Sequence, residues 1–62
     1  MLFLFKGEVS TPIPREGVIE LTHINHIVDA VDAENAISKI KEYYKKKGKS
    51  LEKVHFCNQI IS

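Results

Sequence analysis

The chain opens on an unbroken apolar run, Met1-Leu2-Phe3-Leu4-Phe5. In an extended strand successive side chains point to opposite faces, so Phe3 and Phe5 face one way and Leu2 and Leu4 the other. A run of this kind asks for cover on both sides. The spacing predicts a strand from about Leu2 to Val9, with Phe3, Phe5 and Val9 on one face around Gly7. On the other face Leu2 and Leu4 give way to Lys6 and Glu8, so the N-terminal end is read as the buried one and the strand as emerging into solvent toward Ser10.

Ser10 to Gly17 reads as a loop, because Pro12 and Pro14 fix φ and remove two backbone donors. It is too long for a tight hairpin, yet it most simply joins antiparallel neighbours. In the next strand the apolar parity changes: Ile19 and Leu21 are odd, whereas Ile24, Val28 and Ala30 are even. One residue of slip moves every later side chain to the opposite face, which predicts a bulge or break around Thr22-His23. The segment from His26 to Asp32 then leads into a helix.

That helix is predicted from Asp32 to Lys47. Asp32 is a suitable N-cap and Glu34 suits the positive end of the dipole. Ala33, Ala36, Ile37, Ile40 and Tyr44 fall on one stripe at helical spacing, Tyr43 lies at its edge, and Gly48 is a natural stop. A third strand is predicted from about Lys53 to Ile61, with Val54, Phe56 and Ile60 on one face and His55, Cys57, Gln59 and Ile61 on the other. The result is an α+β chain of order ββαβ, one domain over residues 1–62. A right-handed crossover through the helix makes the second and third strands parallel. The two-sided apolar start of the first strand then places it between them, in a three-stranded sheet of order 2-1-3. One helix covers one face of that sheet, so a second copy of the chain is expected on the other. Leu2, Leu4 and Ile61 are the expected dimer contacts.

Composition narrows the picture further. Sixty-two residues with one cysteine, Cys57, allow no internal disulfide, leaving a compact core and self-association to stabilise the fold. Hydrophobic residues make up 44% and charged residues 27%, too apolar a balance for a disordered chain. The net charge of +1 gives the whole molecule no strong pull toward nucleic acid. The apolar start lacks a preceding basic region and is cut off by Lys6 and Glu8, so it is not read as a signal peptide. No stretch approaches the roughly 20 apolar residues that span a bilayer. A free thiol without an export signal fits a reducing cytoplasm.

Four groups of residues could carry chemistry. His23 and His26 lie three apart and would point oppositely on a regular strand; a bulge could bring them together, with His55 joining from the third strand. A three-histidine zinc site can be drawn on that basis, but no acidic or cysteine ligand is placed beside it by spacing, and the histidines are read as surface or interface groups. Cys57 is two residues from His55, but its mid-strand setting offers no helix N-terminus to activate a thiolate, so it is read as a small buried hydrophobe. Asp29 and Glu34 beside the cap Asp32 leave too few free carboxylates for acid–base work. No catalytic residue, metal or cofactor is assigned. Lys45, Lys46, Lys47 and Lys49 could grip phosphates of nucleic acid or a nucleotide. Their simpler reading is a solvated helix end favoured by the dipole.

The stretch from Ile27 to Ile37 runs a strand into Asp32-Ala33-Glu34-Asn35-Ala36 and an amphipathic helix. With the ββαβ layout and the lysine-rich helix end, it resembles small proteins encoded by bacteriophages and mobile elements. That resemblance implies a protein that binds and blocks a host or defence component, and it carries over no functional residue. The expected function is thus a non-enzymatic, homodimeric inhibitor or adaptor of another protein. Binding of nucleic acid or a nucleotide through the lysine cluster is the alternative.

Overall fold

The computed structural model describes residues 1–13, 15 and 17–60. Its elements are strand β1 (Leu2–Ile13), strand β2 (Val18–Asp29), helix α1 (Ala33–Lys45) and strand β3 (Ser50–Gln59). The sheet order is β2-β1-β3, and β1 is antiparallel to both neighbours. The two outer strands are therefore parallel to each other, the relation expected of strands joined through a helix. The doubly apolar start of β1 takes the central position, where it has a neighbour on each side.

Local chemistry fixes α1 at both ends. The Asp32 side chain accepts a hydrogen bond of 2.7 Å from the Asn35 amide, and Glu34 lies in the first turn. At the other end Gly48, at φ 75°, turns the chain so that the Lys49 amide donates to the Tyr44 carbonyl at 3.0 Å. The stripe Ala36, Ile40 and Tyr44 is buried against the sheet, with Ala33 and Ile37 half-buried at its margins. Phe5, Val9 and Ile24 pack against Ile40 and Tyr44, and Phe3 and Ala30 pack against Ala36. Val28 and Cys57 touch both groups and join them into one layer.

Three expectations require correction. β1 does not end at Val9 but continues through Pro12 to Ile13, and Val9 and Ser10 are buried. The strand tolerates Pro12 because β3 begins at Ser50, opposite Ser10, leaving β1 with an open edge beyond that point. The hairpin connection is accordingly short, lying between Ile13 and Val18, with Gly17 at φ 64° donating its amide to the Ile13 carbonyl at 3.1 Å. Pro14 and Glu16, in the predicted loop, lie outside the described residues.

Secondly, β2 carries no break at Thr22-His23. Its register with β1 is unbroken from Leu2↔Asp29 to Ile13↔Val18. The change of apolar parity has another cause. A helix of 13 residues is about 20 Å long, whereas strands of 12 residues reach about 40 Å. Under the helix, Ile24 and Val28 of β2 and Ala30 just past its end lie inward; beyond the helix, Ile19 and Leu21 lie on the opposite, uncovered face.

Thirdly, the irregularities lie between β1 and β3. The register shifts between Lys6 and Gly7 and again between Glu8 and Val9, leaving His55 and Glu52 as extra residues on β3. Gly7 explains the first shift: a Cβ there would overlap the Lys53 carbonyl oxygen and press on the Phe5 ring. With alternation interrupted, Cys57 lies against the core, as a small buried hydrophobe should, but it no longer shares a face with His55, and Val54 and Phe56 are exposed.

Ile40→Ala should lower unfolding stability by about 2–5 kcal/mol in urea melts, a large part of what so small a domain has. Gly7→Ala should cost about 1–3 kcal/mol or more by overpacking the β1–β3 approach. A Gly7→Ala melt that coincides with the parent's would show that β3 does not come this close.

Candidate functional site

The face of the sheet away from α1 carries the unexplained side chains. Alternation and the β1–β2 register place Leu2, Leu4, Lys6, Glu8 and Ser10 of β1 beside Asp29, Ile27, Asn25, His23 and Leu21 of β2. Apolar groups occupy both ends: Leu2, Leu4 and Ile27 at one, Ile19 and Leu21 at the other. Ile27 is 66% exposed and Leu21 58%, so these are surface groups of the single chain. A shallow groove at the Leu21 end is lined by Ser10, Ile19, Leu21, Glu52 and Lys53. Within it the Ser10 hydroxyl donates to the Glu52 carboxylate at 2.7 Å.

Between the two apolar ends lies a polar centre to which every strand contributes. Glu8 on β1 sits directly opposite His23 on β2, and the first β3 bulge brings His55 to the same point. His55 Nε2 is 2.7 Å from one Glu8 carboxylate oxygen, and His23 Nε2 is 3.8 Å from the other. The two imidazoles stack with centroids 6.1 Å apart. The hydrogen bond from His55 holds the Glu8 carboxyl below the usual carboxylate range; partial burial opposes this, and the positive ends of His23, His55 and Lys53 add to it. Glu8 side-chain exposure is 14%, against 49% for His55 and 80% for His23.

The structure thus joins two of the three histidines singled out in the sequence and separates the third. His26 projects to the helix side, where its Nε2 meets the Tyr44 hydroxyl and its ring meets the edge of Tyr43. Glu8 is the member that sequence reasoning missed. Its signal was the hairpin itself: a short connection between Ile13 and Val18 pairs Glu8 with His23, and a loop drawn from Ser10 to Gly17 conceals that pairing.

Cys57 and His55 do not share a face. The Cys57 sulfur packs among core residues, 3.8 Å from the Ala33 carbonyl oxygen, and burial pushes its thiol pKa up. Of the expected dimer contacts, Leu2 is exposed and Leu4 half-buried on the open face, and Ile61 lies outside the described residues. Lys45, Lys46 and Lys47 are exposed at the end of α1, with the Lys47 ammonium 4.6 Å from the Tyr43 ring centre, and Lys49 is half-buried. Lys45 and Lys49 join Lys41 around a groove with Ser50 and Leu51.

Comparison with protein-family models, with curated proteins and with solved structures returns no match. Among the described residues no helix is long and apolar enough to cross a membrane.

A raised thiol pKa reduces the reactive thiolate at neutral pH, and burial limits reagent access. Iodoacetamide should therefore modify Cys57 far more slowly in the native protein than in urea-unfolded chain, by more than about tenfold. Equal rates, read by mass spectrometry, would place Cys57 outside the core.

Proposed function

We propose that the protein is a small, non-enzymatic, homodimeric binding protein whose two copies meet through the open sheet faces. The supporting observation is the pairing of apolar ends, exposed Leu2 and Ile27 with half-buried Leu4 at one and exposed Ile19 and Leu21 at the other, on a face that α1 does not reach. The area is of the right order. Strands about 40 Å long and a sheet about 14 Å wide give roughly 560 Å² in plan, before side-chain corrugation enlarges it. A stable interface uses about 800 Å² per partner. A two-fold arrangement sets an apolar end of one copy against an apolar end of the other and keeps the polar centres together.

Such a dimer leaves the outer edges of β2 and β3 free to add a strand from another protein. This surface suits an inhibitor or adaptor of the kind that the phage-protein resemblance implies, acting in the cytoplasm. A second reading has its own observation: Lys41, Lys45 and Lys49 converge on one groove, an arrangement able to hold phosphate oxygens of nucleic acid or a nucleotide.

Light scattering at tens of micromolar should give twice the 7.1 kDa chain mass. The Leu21→Lys, Ile27→Lys double variant should remain folded by circular dichroism and scatter as a monomer, because both side chains are exposed in the single chain. A parent that stays monomeric rejects the dimer.

The lysine groove is tested by replacing Lys45, Lys46, Lys47 and Lys49 together with Gln. On the protein-binding reading, stability changes by only about a few tenths of a kcal/mol per residue. Gel shifts with short single- and double-stranded nucleic acids should then show no salt-sensitive binding by the parent. Tight retardation that weakens steeply with salt, and is absent in the variant, would favour the phosphate reading.

A further inference from the structure

We propose that Glu8, His23 and His55 form a binding site for a divalent transition-metal ion, with Zn²⁺ the ion that suits the donors best. Each of the three strands delivers one ligand to a single point on the open face. Their ligand atoms all lie within 4.8 Å of one another. Ligands about 2.0–2.1 Å from an ion at tetrahedral angles are themselves about 3.3 Å apart. The distance still to close is therefore small. Glu8 and His55 are already closer than this at 2.7 Å, and His23, the most exposed of the three, must swing inward from 3.8 Å.

The donor set is chemically selective. Two neutral imidazole nitrogens and one carboxylate oxygen suit a borderline ion such as Zn²⁺, whereas Mg²⁺ and Ca²⁺ prefer oxygen ligands throughout. Three protein ligands on a surface leave the fourth position to water. This arrangement belongs to an accessible zinc ion rather than a closed structural one.

Two features of the backbone support the assignment. Glu8 and His23 are direct partners in an unbroken ladder, so their spacing is set by the sheet rather than by mobile loops. His55 is the extra residue of the first β3 bulge, without which the strand would present Cys57 and His55 to the same face. Lys53, opposite Glu8 on β3, places a positive charge close by and works against the ion. The site is therefore one of moderate affinity. All three ligands belong to one chain, so the site is complete without a second copy; in the dimer proposed above two such sites would face each other across the contact.

The test is a Zn²⁺ titration of the full chain at neutral pH against a chromogenic chelator. One ion per chain should bind. Glu8→Gln, His23→Gln and His55→Gln should each weaken binding by at least about tenfold while retaining the parent's circular dichroism. His26→Gln and Cys57→Ser, whose side chains face the helix, should bind as the parent does. Co²⁺ in place of Zn²⁺ should give the intense visible bands of a four-coordinate ion without thiolate-to-cobalt charge transfer. No binding, equal affinity of the parent and His23→Gln, or a thiolate charge-transfer band would each overturn the assignment.

Discussion

A difference in length governs this molecule. Helix α1 is about 20 Å long and the β1–β2 hairpin about 40 Å, so one helix can shield little more than half of one sheet face. Where it lies, the sheet has a core: Phe3, Phe5, Val9, Ile24 and Val28 meet Ala36, Ile40 and Tyr44. Where it does not, the hairpin continues as a ribbon past the start of β3, and the whole chain spans 44 Å in its longest direction. The exposed side chains of the open face follow from this geometry. No other element among the described residues can cover them.

The close approach at Gly7 is the second organising feature. Without a Cβ the β3 backbone comes up against β1, and the two register shifts beside that contact leave His55 and Glu52 unpaired in the ladder. Both reach the open face, His55 to the Glu8 carboxylate and Glu52 to the Ser10 hydroxyl. A small residue in the central strand thus determines which polar groups assemble on the exposed side. The same shifts return Cys57 to the core.

The elements with strong local signals were legible in the sequence. The helix, its cap at Asp32 and its stripe from Ala36 to Tyr44 follow from helical spacing, and the sheet order follows from the two-sided apolar start of β1. Strand boundaries and faces were less legible. Pro12 reads locally as a loop residue, and only the late start of β3, a tertiary fact, makes it acceptable in a strand. Ile19 and Leu21 imitate a register slip because periodicity records which face is apolar, not whether the ladder is broken. The sequence suggested that His55 could approach His23, but the place of Glu8 between them was hidden for a similar reason. The three residues are distant in sequence, and they meet through a hairpin register and a bulge that no single segment announces.

The central place of β1 has a consequence for how the sheet assembles in time. Its seam with β2 begins beside the turn, at Ile13↔Val18, and can zip outward from there with little loop to close. Its seam with β3 joins Phe3 to Gln59, almost the two ends of the described chain, so most of the polypeptide must be ordered before that pairing forms. Contacts so distant in sequence carry the entropic cost that slows folding. The helix, anchored between the two seams, shortens the search by holding β3 near β1 once Ile40 and Tyr44 have docked. Until that second seam closes, the paired hairpin presents one edge of β1 unprotected, and this is the stage at which the chain is most open to pairing with a strand other than its own.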